Sequence, residues 1–246
     1  MIARRPFLAP LAALATLASS GTVLAQDTTA PAARVEQPVA QATPAPDPVE
    51  YAYVALKTSE GTITLALDTT HAPLTSANFL KYVDTKRLDG APFYRAMHLP
   101  GAEEPEGLLQ GGIRDGAKLL PPVAHESTNQ TGILHKTGTV SMARFEPGSA
   151  TADFMILLSP MPSLDAQKGN DGKDPGAGFA AFGHVAAGMD VVEAIWAMPR
   201  SATKGEGVMK GDILENEVKI VSARRVSAPP MPEAPETPEP APAPAN

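Results

Sequence analysis

Apolar and polar positions alternate where the globular sequence begins. Tyr51, Tyr53 and Ala55 fall on one side and Ala52, Val54 and Leu56 on the other; after Ser59-Glu60-Gly61 a second run, Thr62-Ile63-Thr64-Leu65-Ala66-Leu67, alternates again. Two period-2 runs joined by a short glycine-bearing turn predict a β-hairpin. The period changes after Pro73, where Phe79, Tyr82 and Val83 recur at i, i+3 and i+4, the spacing of a helix with one buried face. Short apolar runs follow at 92–97, 108–110, 139–142, 154–158 and 178–185, divided by loops rich in Gly, Pro and Asp. Residues 190–197 predict a second helix, with Met189, Val192 and Trp196 on one side, and 217–225 a last alternating strand. Many short strands with two helices and no βαβ rhythm point to a mainly β fold, a barrel or sandwich with helical caps.

Proline divides the chain further. Residues 229–246 hold eight of the 26 prolines, and 26–50 hold Pro31, Pro38, Pro44, Pro46 and Pro48. Such Pro/Ala-rich stretches have little to bury and read as spacers around one domain, 51–227, leaving a linker at 26–50 and a Pro/Glu/Ala-rich tail at 228–246. Residues 1–25 read as an export signal: Arg4 and Arg5, then an Ala/Leu-rich run, then Val23-Leu24-Ala25 before Gln26. Arg4-Arg5-Pro6-Phe7-Leu8 also suits a twin-arginine route, so the route stays open, and an uncleaved anchor is the competing reading. The expectation is a periplasmic or secreted protein, soluble and free of the membrane after cleavage.

Charge and composition narrow the chemistry. Loss of residues 1–25 removes Arg4 and Arg5 but no acid, taking the net charge from −7 to −9. Such a chain repels phosphate backbones and anionic lipid, so no nucleic-acid partner is expected. The absence of cysteine excludes disulfides, thiolate zinc sites and cysteine nucleophiles. His71, His98, His125, His135 and His184 show no paired metal-ligand spacing, and no Gly-x-Ser-x-Gly elbow is present. No metal site is expected.

Ten short pieces, in order, carry a resemblance. They are Gly61-x-Ile63, Ala72-Pro73, Asn78-Phe79, Phe93-Tyr94-Arg95, Gln110-Gly111-Gly112, the run from Gly138 to Arg144, the run from Ser149 to Ile156, Leu164-Asp165, Phe182-Gly183-His184-Val185 and Gly188-Met189-Asp190-Val191-Val192. Together they resemble the cyclophilin family of peptidyl-prolyl cis–trans isomerases from about Tyr53 to Val226. The resemblance implies an eight-stranded antiparallel barrel closed by two helices, a peptide groove on its outer surface, no cofactor, and proline-containing polypeptides as substrates of a monomer. It puts the catalytic role on Arg95 and substrate binding on Gln110, Met142, Ala143, Arg144, Asp153, Met155, Leu164 and Phe179, with Leu108 joining the pocket. Taken alone, Arg95 would be an ordinary surface arginine, and Val140 and Met142 plain core.

Several positions depart from the family pattern. Tyr94 stands where the motif has histidine, and Asp153, where glutamine is usual, is expected to pair with Arg95 or Arg144. Met155 replaces a phenylalanine, Phe179 a histidine or tyrosine, and Gly107 an aromatic pocket residue. Extra residues at 100–105 and near 167–178 should lie at the groove. These changes sustain a second reading, a catalytically weak cyclophilin-fold scaffold that binds proline-containing segments.

Overall fold

The computed structural model describes residues 48–101, 105–170 and 172–230; the predicted signal, almost all of the 26–50 linker and most of the 228–246 tail lie outside them. Eight strands close into an antiparallel barrel: β1 (Tyr51–Thr58), β2 (Thr62–Asp68), β3 (Pro92–His98), β4 (Gly107–Gly111), β5 (Thr139–Met142), β6 (Phe154–Leu157), β7 (Ala180–Ala187) and β8 (Ile213–Val226). Their order around the barrel is β1-β2-β7-β5-β6-β4-β3-β8. The first hairpin forms as the alternation requires, with Thr58 Oγ1 donating to the Gly61 carbonyl across the turn.

Two helices pack against the barrel and a short third one bridges a loop. α1 (Pro73–Asp84) packs near β2, β7 and β8, and α3 (Met189–Trp196) near β2, β3 and β4. The predicted i, i+3, i+4 face of α1 is buried: Phe79 meets Phe154 edge-on at 5.3 Å and Phe182 at 5.5 Å. The unexpected helix is α2 (Thr128–Thr131). At four residues it is too short for periodicity to reveal. Local capping holds it: the Gln130 side chain accepts from the Ser127 N–H at 2.9 Å, and Gly132 ends it with φ 71°. β7 starts two residues later than expected, and β8 starts at Ile213 rather than 217.

The barrel sorts side chains into two apolar sets, as alternation in a small barrel demands. Inside lie Phe93, Ala96, Leu109, Val140, Met142, Phe154, Ile156 and their neighbours. Outside lies a second cluster of Leu108, Met155, Leu157 and Met161, with Met97, Leu99, Leu164 and Phe179 packed on it. Among the described residues no helix is long and apolar enough to cross a membrane.

Candidate functional site

The outer face of β3, β4 and β6 is built by register. Arg95 pairs with Gln110, and Gln110 pairs with Met155, so the three stand in one row across three adjacent strands. At about 4.8 Å between strands, the row spans roughly 10 Å. The next row, Met97, Leu108 and Leu157, belongs to the outer apolar cluster. Leu164 and Phe179 reach that cluster from the loops, tied by a Phe179 N–H to Leu164 carbonyl bond of 2.9 Å. Four residues expected to line a pocket, Leu108, Met155, Leu164 and Phe179, thus meet on one apolar surface beside Arg95.

A bulge brings Tyr94 into the same site. The β3–β4 register shifts between Phe93 and Arg95, and Phe93 and Ala96, three apart, both point inward. The Tyr94 hydroxyl accepts from Gln110 Nε2 at 2.7 Å and donates to Asp153 Oδ2 at 2.8 Å. Gln110 Oε1 in turn accepts from Arg95 Nη1 at 3.1 Å. Both ends of the Gln110 amide are therefore fixed, with one of its two N–H donors used. The Arg114 guanidinium lies 4.5 Å over the Tyr94 ring. Burial pushes the Asp153 carboxyl above its ordinary value, against the Tyr94 hydrogen bond and the Arg114 charge. Burial, with Asp153 second, also raises the Tyr94 hydroxyl, so the proton of this pair stays on tyrosine.

The expected pairing of Asp153 with Arg95 or Arg144 does not occur. Arg95 gives Nε and Nη2 to Asp212 Oδ2, at 3.3 and 3.0 Å. Arg144 pairs with both carboxylate oxygens of Asp174, at 2.8 and 2.9 Å, and donates to the Gly178 carbonyl. Its guanidinium also lies 5.0 Å from the Phe179 ring centre, so it staples the longer 167–178 loop to the rim. Ala143 sits half-buried at that rim, its N–H on the Asp153 carbonyl at 2.9 Å. The Met142 side chain lies in the barrel interior, 1% exposed, with Phe154 and Ala180 as its neighbours in the sheet, so what it can offer the rim is its backbone.

Gly107 explains itself sterically. With φ 142°, a Cβ there would overlap the Met97 carbonyl oxygen, so the aromatic residue common at this position has no room. Methionines fill the surface instead: Met97, Met155 and Met161. Gly112 is likewise closed off, since a Cβ would collide with the Asp153 side chain. Of the 100–105 insertion, residues 102–104 lie outside the described set; its base, Leu99, packs on the outer cluster. Asp212, Arg114 and the Tyr94 link were not foreseen. Asp212 is 117 residues from Arg95, and no spacing in the sequence joins them.

A shallow cleft of about 350 Å³ lies elsewhere, between α1 and the 121–124 segment, lined by Leu74, Ala77, Asn78 and Lys81 on the helix side. It contains none of the groove residues. Its position does not bear on the chemistry above.

Residues 53–225 match the family described as cyclophilin type peptidyl-prolyl cis-trans isomerase/CLD. The chain is 35% identical over 177 residues to the peptidyl-prolyl cis-trans isomerase cyp18 of Streptomyces antibioticus, covering 70% of this chain and 96% of that protein. It is 36% identical over 144 residues to peptidyl-prolyl cis-trans isomerase A of Dickeya dadantii, covering 58% and 70%. The fold matches a Cryptosporidium parvum cyclophilin-type isomerase with a TM-score of 0.57 at 17% identity, over 73% of this chain and all of that one. The chain belongs to the cyclophilin-type peptidyl-prolyl cis–trans isomerase family.

Proposed function

We propose that this protein catalyses X–Pro rotation in exported polypeptides, with Arg95 acting on the twisted amide. The observation that carries the reading is the row Arg95, Gln110, Met155 with an apolar surface beside it. Rotation about an X–Pro bond is slow because amide resonance resists it, with a barrier of about 18–20 kcal/mol. No covalent intermediate is needed. The outer cluster receives the proline ring, and Gln110 and the rim around Ala143 hold the flanking backbone. A guanidinium that stays charged then favours electron density localising on the prolyl nitrogen as resonance is lost. Of its five N–H donors, three are used by Asp212 and Gln110, leaving two for substrate.

Kinetics on a short X–Pro peptide test this. Arg95→Ala should lower kcat/KM by about 10²–10³-fold, the range for removing one placed donor at a developing charge. Wild type no faster than the spontaneous rate, or Arg95→Ala equal to wild type, would sink it. A solved relative, the C. parvum isomerase described in the presence of the dipeptide Ala-Pro, supports proline-containing ligands for this fold at a TM-score of 0.55.

The methionine-rich surface favours a second reading, binding without useful catalysis, because flexible thioethers adapt to many shapes and hold none rigidly. A peptide that binds while its cis–trans exchange stays at the spontaneous rate would select it. The export assignment rests on residues 1–25. Mass spectrometry of the protein recovered outside the cytoplasm should find a chain beginning at Gln26; an intact Met1 would contradict cleavage.

A further inference from the structure

We propose that Asp212 is the positioning residue for Arg95, aiming its guanidinium at the groove; this rests on the catalytic reading of Arg95 above. Arg95 hangs from a bulged strand on a long, flexible stem, and an arginine free to swing would spend much of its time away from the substrate amide. Asp212 prevents this from the Nε side. One oxygen, Oδ2, takes both Nε–H and Nη2–H, so the edge of the guanidinium next to the stem is clamped. Gln110 takes one Nη1–H on the opposite side. The planar group cannot rotate about its last bonds without breaking both attachments.

Asp212 is itself built into place. Its carbonyl accepts from the N–H of Ala96, the residue after Arg95, at 2.9 Å, and its N–H donates to the Met209 carbonyl at 3.1 Å. Gly211, at φ 87°, turns the chain into this position. The second oxygen, Oδ1, faces Arg200 Nη1 at 3.5 Å, so the carboxylate is held by two cations and the cluster keeps a net positive charge. Arg95 and Asp212 side chains are only 14% and 16% exposed, which keeps the pair out of bulk water. A surface ion pair would have neither the backbone anchor nor the burial.

The contact through a single oxygen makes the test sharp, because asparagine keeps that oxygen and loses the charge. Aiming predicts that Asp212→Ala lowers kcat about tenfold or more with KM within about twofold, while Asp212→Asn stays within about threefold of wild type. The double variant with Arg95→Ala should be no slower than Arg95→Ala alone, since the two act as one unit. In wild-type protein the Arg95 Nε–H should give a distinct, slowly exchanging NMR signal that Asp212→Asn retains; this measurement decides if Asp212→Ala fails to fold. Overturning results are an Asp212→Ala enzyme as fast as wild type or faster, an Asp212→Asn as slow as Asp212→Ala, additive losses in the double variant, or an Arg95 Nε–H that exchanges like an exposed arginine. Arg95→Ala equal to wild type would overturn the catalytic reading, and this inference with it; the other results overturn this inference alone.

Discussion

Tyr94 occupies a place where the family motif carries histidine, and its hydroxyl does what a long reach allows: it bridges Gln110 and Asp153 at 2.7 and 2.8 Å. Tyr94→Phe leaves a buried amide N–H and a half-buried carboxylate oxygen without that partner. The expected loss is about 1–3 kcal/mol of stability by urea unfolding, with reduced activity because the Gln110 amide can turn. Unchanged stability would show that water replaces the hydroxyl at no cost. Gly107→Ala should cost about 2–3 kcal/mol or more, because the new methyl overlaps the Met97 carbonyl in a backbone conformation that L-residues avoid. At this scale the sequence named most of the side chains on the outer face, but not their partners. Asp153 was expected to meet an arginine and meets a tyrosine, since the bulge at Tyr94 turns that ring toward it and Asp212 already occupies Arg95.

The strands were legible because alternation and barrel closure ask for the same pattern, and the helix face of α1 because Phe79, Tyr82 and Val83 have no other use for their spacing. What stayed hidden was set by irregularity. The bulge in β3 breaks the period for one residue, and β8, which starts at Ile213, passes through Glu215, Asn216 and Glu217, where no alternation marks a strand. α2 is too short for any period, yet Ser127, Gln130 and Gly132 carry a start-and-stop signature that a capping search would find. Gln130→Ala should lower stability by about 1 kcal/mol through loss of that cap, measured by chemical denaturation. Helix α2 also meets the base of the rim insertion, Thr128 Oγ1 accepting from the Ala166 N–H and Asn129 Nδ2 donating to the Gln167 carbonyl, both at 2.8 Å, so the same variant should loosen the 167–178 loop in hydrogen exchange.

For the molecule as a whole, acid is the informative stress. Burial lowers His98, His135 and His184 below the ordinary value of 6.5. His135 is 2% exposed, with Nδ1 2.7 Å from Asp165 and Nε2 2.9 Å from Ser141. The unfolded chain takes protons at these sites before the folded one does. Stability should therefore fall as pH drops from above 6.5 through the lower folded values, seen as a lower Tm at pH 5.5 than at pH 8. Asp153 works in the opposite sense, since its folded value is raised above 3.8 and acid relieves it. A Tm that is flat or rises over this range would contradict the histidine account. The groove, the barrel that carries it and the placed arginine make one claim together, that this outer face turns prolyl bonds. Exchange NMR on a short X–Pro peptide with substoichiometric protein tests it most directly. The prediction is cis–trans exchange well above the spontaneous rate with wild type and near it with Arg95→Ala, with peptide-induced shifts centred on Gln110, Met155 and Phe179. Exchange that stays spontaneous with wild type, or acceleration that survives Arg95→Ala, would contradict it.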